Sequence, residues 1–152
     1  MEKLQEIYCA YTETLSKVVK KTSPLAGILG TGGGVKAHPC HEEFYETVGQ
    51  WVDTFLAQQP EEVTVMEAAR FILIAGAAHK GQPTYGLCFA AQGHAKRLIP
   101  LLSKENCAVL CKEFDDLYPE SVRLPVNNQI YDLLCTGAGV TPKKKGLFSF
   151  LK

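Results

Sequence analysis

Two imidazoles and a thiol fall within four residues at His38-Pro39-Cys40-His41, with Glu42 directly behind them. No other stretch packs metal-ligating side chains so densely. Neutral imidazole and thiolate are the ligands of zinc and of other borderline metals. His38, Cys40 and His41 are therefore the candidate metal site, with zinc the candidate ion. Structural zinc sites usually pair two short ligand motifs, and no second Cys/His pair follows at that spacing. His79, His94 or a distant cysteine would have to complete the sphere in space. The alternative is local capping, in which these polar side chains close the start of a helix and Cys40 is half-buried.

Cys107 and Cys111 stand at i and i+4, on one face of a helix. That spacing permits a shared metal or a redox partnership, although it is not the CxxC of thioredoxin-like sites. Between Leu110 and Phe114 they read first as core packing. Gly30-Thr-Gly-Gly-Gly-Val-Lys36 resembles a phosphate-binding loop but fails the pattern twice: Val35 replaces the glycine before the lysine, and Ala37 replaces the Ser/Thr that would hold magnesium. The dinucleotide fingerprint fails at Val35 too, and no strand is predicted ahead of either motif. HExxH, a Glu-x-x-His pair and GxSxG are all absent from the chain. Cys40 with His79 or His94 would make a nucleophile and base, but any chain with 6 Cys and 4 His offers such pairs.

A chain of 152 residues, 46% hydrophobic and 21% charged, is expected to fold as one globular domain. Its net charge of zero conceals an arrangement. From Ala37 to Ala69 there are seven acids and no Lys or Arg, and from Pro142 to Lys152 four lysines and no acid. The body before Pro142 has 12 bases against 16 acids. A folded part without a basic face argues against a nucleic-acid partner. The N-terminal stretch is charged throughout and shows no signal-peptide apolar region. The expected compartment is the cytoplasm, where cysteines stay as thiols and pack as small hydrophobes. The longest apolar run, Phe71 to Ala78, is far short of the ~20 residues a bilayer needs.

The elements that must position these residues are helical. Leu4, Ile7, Tyr8, Tyr11, Leu15, Val18 and Val19 recur by threes and fours over residues 2–20. Residues 25–37 are a glycine-rich loop. Phe44, Val48, Trp51, Val52, Phe55 and Leu56 mark a second helix that opens after Pro39 and ends near Gln58. A third is expected to open on the capping box Thr64-Val-Met-Glu67 and run to about Ala78, with His79-Lys80-Gly81 closing it. A fourth is predicted from Pro83 to Ala91, and Gly93 is expected to divide it from a short fifth, Ala95 to Leu102, which Pro100 kinks or shortens. Ser103 caps a sixth that ends at Pro119, and Pro125 starts a seventh with Gly137 as its stop. Residues 81–103 resemble one ankyrin-type hairpin. Neither 48–70 nor 114–136 repeats the pattern at the ~33-residue period, so no repeat array is expected.

The expected fold is thus an all-α single-domain bundle, or a stack of helical hairpins, of about six to seven helices over residues 1–141. Residues 142–152 form a basic-apolar tail, with Lys143, Lys144 and Lys145 ahead of Leu147, Phe148, Phe150 and Leu151. Those seven side chains are the candidate docking residues, for a protein partner or an anionic membrane surface. With no catalytic signature surviving, the expected function is a non-catalytic interaction or accessory module. The alternatives are a metal- or thiol-dependent protein centred on His38-Pro-Cys-His41 and a peripheral membrane protein held by its tail.

Overall fold

Helix α1 spans Glu2–Lys21 and α2 spans Cys40–Ala57 in the computed structural model, which describes residues 1–21, 38–75, 93–123 and 125–141. Helix α3 (Glu62–Arg70) runs into one turn of π-helix, Phe71–Ala75. Residues 93–98 are α4, which tightens into the 3-10 turn Ile99–Leu101. Helices α5 (Lys104–Leu117) and α6 (Pro125–Gly137) follow, with the 3-10 turn Glu120–Val122 between them. Six α-helices and no strand occur among the described residues, and the protein is an all-α bundle. None of these helices is long and apolar enough to cross a membrane. The predicted loop 25–37, the expected end of the third helix with His79, the predicted fourth helix with Cys88, and the tail 142–152 lie outside the described residues.

Side-chain spacing explains the packing. On α1, Leu4, Tyr8, Tyr11 and Leu15 are buried; on α2, Phe44, Val48, Val52 and Phe55 are. Those stripes face each other, so α1 lies on α2. Ala68 and Ala69 give α3 a small-residue face, and the π turn adds fully buried Ile72 and Leu73. On α5, Cys107, Leu110 and Phe114 meet Ile130, Leu134 and Cys135 of α6. All of these except Cys135 belong to one core cluster. Arg70 ties the end of α3 to α5 with two bonds to Glu113, of 2.8 and 3.1 Å. The pair is more than a third exposed, so it contributes well under 1 kcal/mol.

Helix ends follow local chemistry, with two corrections to the sequence reading. Ser103 caps α5, its hydroxyl accepting the Asn106 N–H at 3.3 Å, and Pro125 opens α6 as expected. Pro100 sits inside a 3-10 turn and cuts α4 short. Helix α3, however, begins at Glu62, two residues before the expected capping box. Glu62 turns its carboxylate away from its own helix, accepting the Ser103 N–H at 2.6 Å and the Asn106 side-chain N–H at 2.7 Å. It caps α5 from outside, an arrangement that local sequence does not reveal. At the end of α6, Gly137 is the last helical residue and not the stop. The stop is Gly139, at φ +74°, where Val140 N–H reaches Cys135 O at 2.8 Å and Gly139 N–H reaches Thr136 O at 3.0 Å. Those two bonds make a Schellman motif.

Gly137 has a different task. A Cβ there would lie 2.7 Å from Cys107 Sγ and 2.9 Å from Ile99 Cγ2. Its missing side chain lets α6 approach α5 and the 3-10 turn. Nearby, Arg123 is a brace between elements: it donates to Tyr118 O at 2.6 Å, pairs with Asp115, and stacks 3.7 Å from the Tyr131 ring centroid.

Tyr8 lies edge-on to both Phe44 and Phe71, each at 4.9 Å, and its hydroxyl has no hydrogen-bond partner among the described residues. Gly137→Ala is expected to lower unfolding free energy by about 1–3 kcal/mol through overpacking. Tyr8→Phe removes an unsatisfied buried hydroxyl and is expected to hold or raise stability, by up to about 1 kcal/mol. Urea midpoints of the two variants against the parent chain check both directions.

Candidate functional site

The His38-Pro-Cys-His41 segment opens α2, and each of its side chains has local work. His38 Nδ1 accepts the Cys40 N–H at 3.2 Å, capping a donor that Pro39 cannot reach with a side chain of its own. His41 is buried, with Nδ1 2.8 Å from the Tyr11 hydroxyl of α1. Cys40 is 5% exposed, and burial, reinforced by the charge of Glu43, pushes its thiol up. A protonated buried thiol is neither a ready metal ligand nor a ready nucleophile. This is the geometry of helix capping. Among the described residues no group of three His, Cys, Asp or Glu is placed to hold a metal ion. His94 sits elsewhere, stacked on Tyr45 with ring centroids 5.1 Å apart.

A concavity runs along the outer seam of α1 and α2. One part, about 510 Å³, is lined by Met1, Lys3, Ile7, Trp51, Thr54 and Phe55, among others. A second part, about 240 Å³, is lined by Tyr11, Thr14, Cys40, Glu43 and Phe44. Both are bordered by Ile7 and Thr47, so they form one groove. Met1 lies by Gln58 at one end and Thr14 by Cys40 at the other, which makes the two helices antiparallel. At ~1.5 Å per residue, the stretch of α2 beside it is roughly 27 Å long. Its floor is apolar, with Trp51 and Phe55 stacked at 4.8 Å and 12°. Charge marks its ends: Lys3 lines one and Glu43 the other. A separate cleft of about 480 Å³, between Leu56, Val65 and Leu101, lies at the far end of α2.

Trp51 and Phe55 both belong to the apolar stripe expected on α2. Phe55 is buried in the core, whereas Trp51 is only half-buried and lines the groove beside it. The cysteines of α5 pack in the core as expected, but they do not face each other. Cys107 is fully buried and faces Ile99 O at 3.8 Å. Cys111 meets Cys135 of α6, with sulfurs 3.2 Å apart. The candidate docking residues Lys143, Lys144, Lys145, Leu147, Phe148, Phe150 and Leu151 lie outside the described residues.

No protein-family model, curated protein or solved structure matches this chain.

His94 is 2% exposed, and neither ring nitrogen finds a full hydrogen bond among the described residues. Gly49 and Gly93 make room for it: a Cβ at 49 would lie 3.3 Å from His94 Cε1, and one at 93 would strike the Tyr45 ring. Burial, with Arg97 adding repulsion, holds the imidazole below its usual pKa, against weaker pulls from the Tyr45 backbone and Asp53. The folded state therefore binds this proton less readily than the unfolded one. Stability is full above the unfolded value of ~6.5 and is lost as pH falls through the window beneath it. His94→Phe, which keeps a ring against Tyr45, is expected to flatten that part of the slope. Urea midpoints at about pH 7.5 and about pH 5 for both chains measure it.

Proposed function

We propose that this protein is a non-catalytic interaction module whose α1–α2 groove receives an amphipathic α-helix from a partner protein. The observation that carries the reading is the open seam with the stacked Trp51–Phe55 pair in its floor. A groove of this length, with Ile7, Phe44, Trp51 and Phe55 in its lining and Thr47, Gln50 and Thr54 among them, matches helix-in-groove recognition, where apolar side chains at i, i+3/i+4 and i+7 supply the anchors. Partly exposed aromatic floors are typical of such anchoring sites. The end charges set the chemistry of the partner: a basic residue where the helix passes Glu43 and an acidic one where it passes Lys3. Protonated thiols at Cys40, Cys107 and Cys111 support a role without nucleophilic catalysis. The proposal includes residence in the cytoplasm, supported by cysteines used as core packing.

Thr47 is exposed on the groove wall shared by both parts. An arginine there obstructs the groove without entering the core. The test is selection of a displayed library of random 16-residue peptides on the full chain, followed by titration of single peptides. Enriched peptides are expected to share a helical apolar stripe and to shift the emission of Trp51, the sole tryptophan, to shorter wavelength. They should bind Thr47→Arg at least about tenfold more weakly, a difference of ~1.4 kcal/mol. Peptides without helical periodicity, or with equal affinity for Thr47→Arg, would sink the reading.

A further inference from the structure

The α5–α6 interface contains a contact that packing alone does not require. Cys111 Sγ and Cys135 Sγ lie 3.2 Å apart, across two different helices. We propose that Cys111 and Cys135 are a thiol–disulfide site, which exchanges with a low-molecular-weight disulfide to form one bond stapling α5 to α6.

Three observations support it. The sulfurs need close by only about 1.2 Å to reach a bond length of ~2.05 Å, a movement within side-chain reach. The two thiols are unequally accessible: Cys111 is half-buried, open to a small reagent, while Cys135 is buried behind it. That division suits an attacking thiol and a resolving thiol. Tyr131, one turn before Cys135 on α6, sets a polar hydroxyl close to both sulfurs, beside the reacting pair. Cys107 is excluded from the exchange, because it is fully buried against Ile99 and the bare Cα of Gly137.

The chemistry balances in two steps. Cys111 loses its proton and attacks RSSR; a Cys111–S–SR bond forms, and the departing RS⁻ takes up a proton. Cys135 then loses its proton and attacks the Cys111 sulfur; the Cys111–Cys135 bond forms, and the second RS⁻ departs and is protonated. Two protein thiols are oxidised and one RSSR is reduced to two RSH. Burial pushes the Cys111 thiol up to about 12, so its thiolate is scarce and the first step is slow. The same burial makes Cys111 a poor leaving group when the bond is reduced. The site is a slow staple and not a turnover catalyst.

The experiment uses the full chain carrying Cys9→Ser, which removes the exposed thiol of α1, equilibrated in oxidised and reduced glutathione at a series of ratios. Free thiols are alkylated and tryptic peptides mapped. Peptide 124–143 has Cys135 as its cysteine, and peptide 105–112 has Cys107 and Cys111, so fragment spectra and a Cys107→Ser version identify the partner. The expected result is a Cys111–Cys135 cross-link that survives Cys107→Ser, disappears in Cys111→Ser and is reversed by dithiothreitol. The bond spans 24 positions of sequence, so the oxidised chain should melt on the order of 10 °C above the reduced one. Linkage through Cys107 would overturn the proposal, as would a glutathione adduct on Cys111 that never resolves, or full alkylation of both thiols at every ratio.

Discussion

Phe71 holds two helical pairs together. Helices α1 and α2 amount to some forty residues, too few to bury a self-sufficient core. Tyr8 lies edge-on to Phe44 of α2 and also to Phe71 at the head of the π turn, and these contacts make one interior of what would otherwise be two. The π turn has a role in this. Widening a helix by one residue per turn redirects the side chains that follow. Here the turn buries Ile72 and Leu73 completely while Phe71 stays half-buried against α1. The bonds of Arg70 and Arg97 to Glu113 and Asp53 lie at the edges of this junction and are too exposed to replace it.

Once the inner face of α1–α2 is committed to that shared interior, the outer seam is left open. The stripe on α2 covers more of its circumference than α1 can face, because half-buried Trp51 extends it past Val48 and Val52. Aromatic side chains held on rigid helices lose little freedom when a ligand covers them. The groove is thus a by-product of packing geometry, but one that is ordered in advance. At the start of α2 the His41–Tyr11 contact fixes the two helices relative to one another.

Periodicity and punctuation made much of the fold legible. Apolar stripes gave α1, α2, α5 and α6 nearly to the residue, and Ser103, Pro119 and Pro125 marked ends that the structure keeps. The failures share a cause: each depends on a residue from another element. Thr64 and Glu67 form a plausible capping box in isolation, yet Glu62 starts the helix earlier because Ser103 and Asn106 use its carboxylate. Gly137 looks like a helix stop in isolation, yet its lost Cβ serves Cys107 and Ile99. The His38-Pro-Cys-His41 segment is a separate case: its spacing serves the start of α2 locally, where His38 Nδ1 accepts the Cys40 N–H. A helix start needs acceptors for its free N–H groups, and imidazole supplies one as readily as it supplies a metal ligand.

The thiol contact could have been found by arithmetic. In an antiparallel pair, residues equidistant from the connection face each other. Asp115 and Tyr131 are joined through Arg123; Cys111 meets Cys135; Cys107 meets Gly137. Each pair is centred on residue 122 or 123, at the end of the 3-10 turn Glu120–Val122. Scanning α5 alone sets Cys107 beside Cys111, because i and i+4 are neighbours on a cylinder. Folding the sequence about its short connection sets Cys111 opposite Cys135 instead. The second operation uses only two expectations already in hand, that both segments are helical and that a connection of a few residues forces them antiparallel. Spacing along one helix ranks neighbours by distance on its surface. Chemistry between two sulfurs depends on which of those surfaces is turned toward the other helix, and that is set by where the chain reverses.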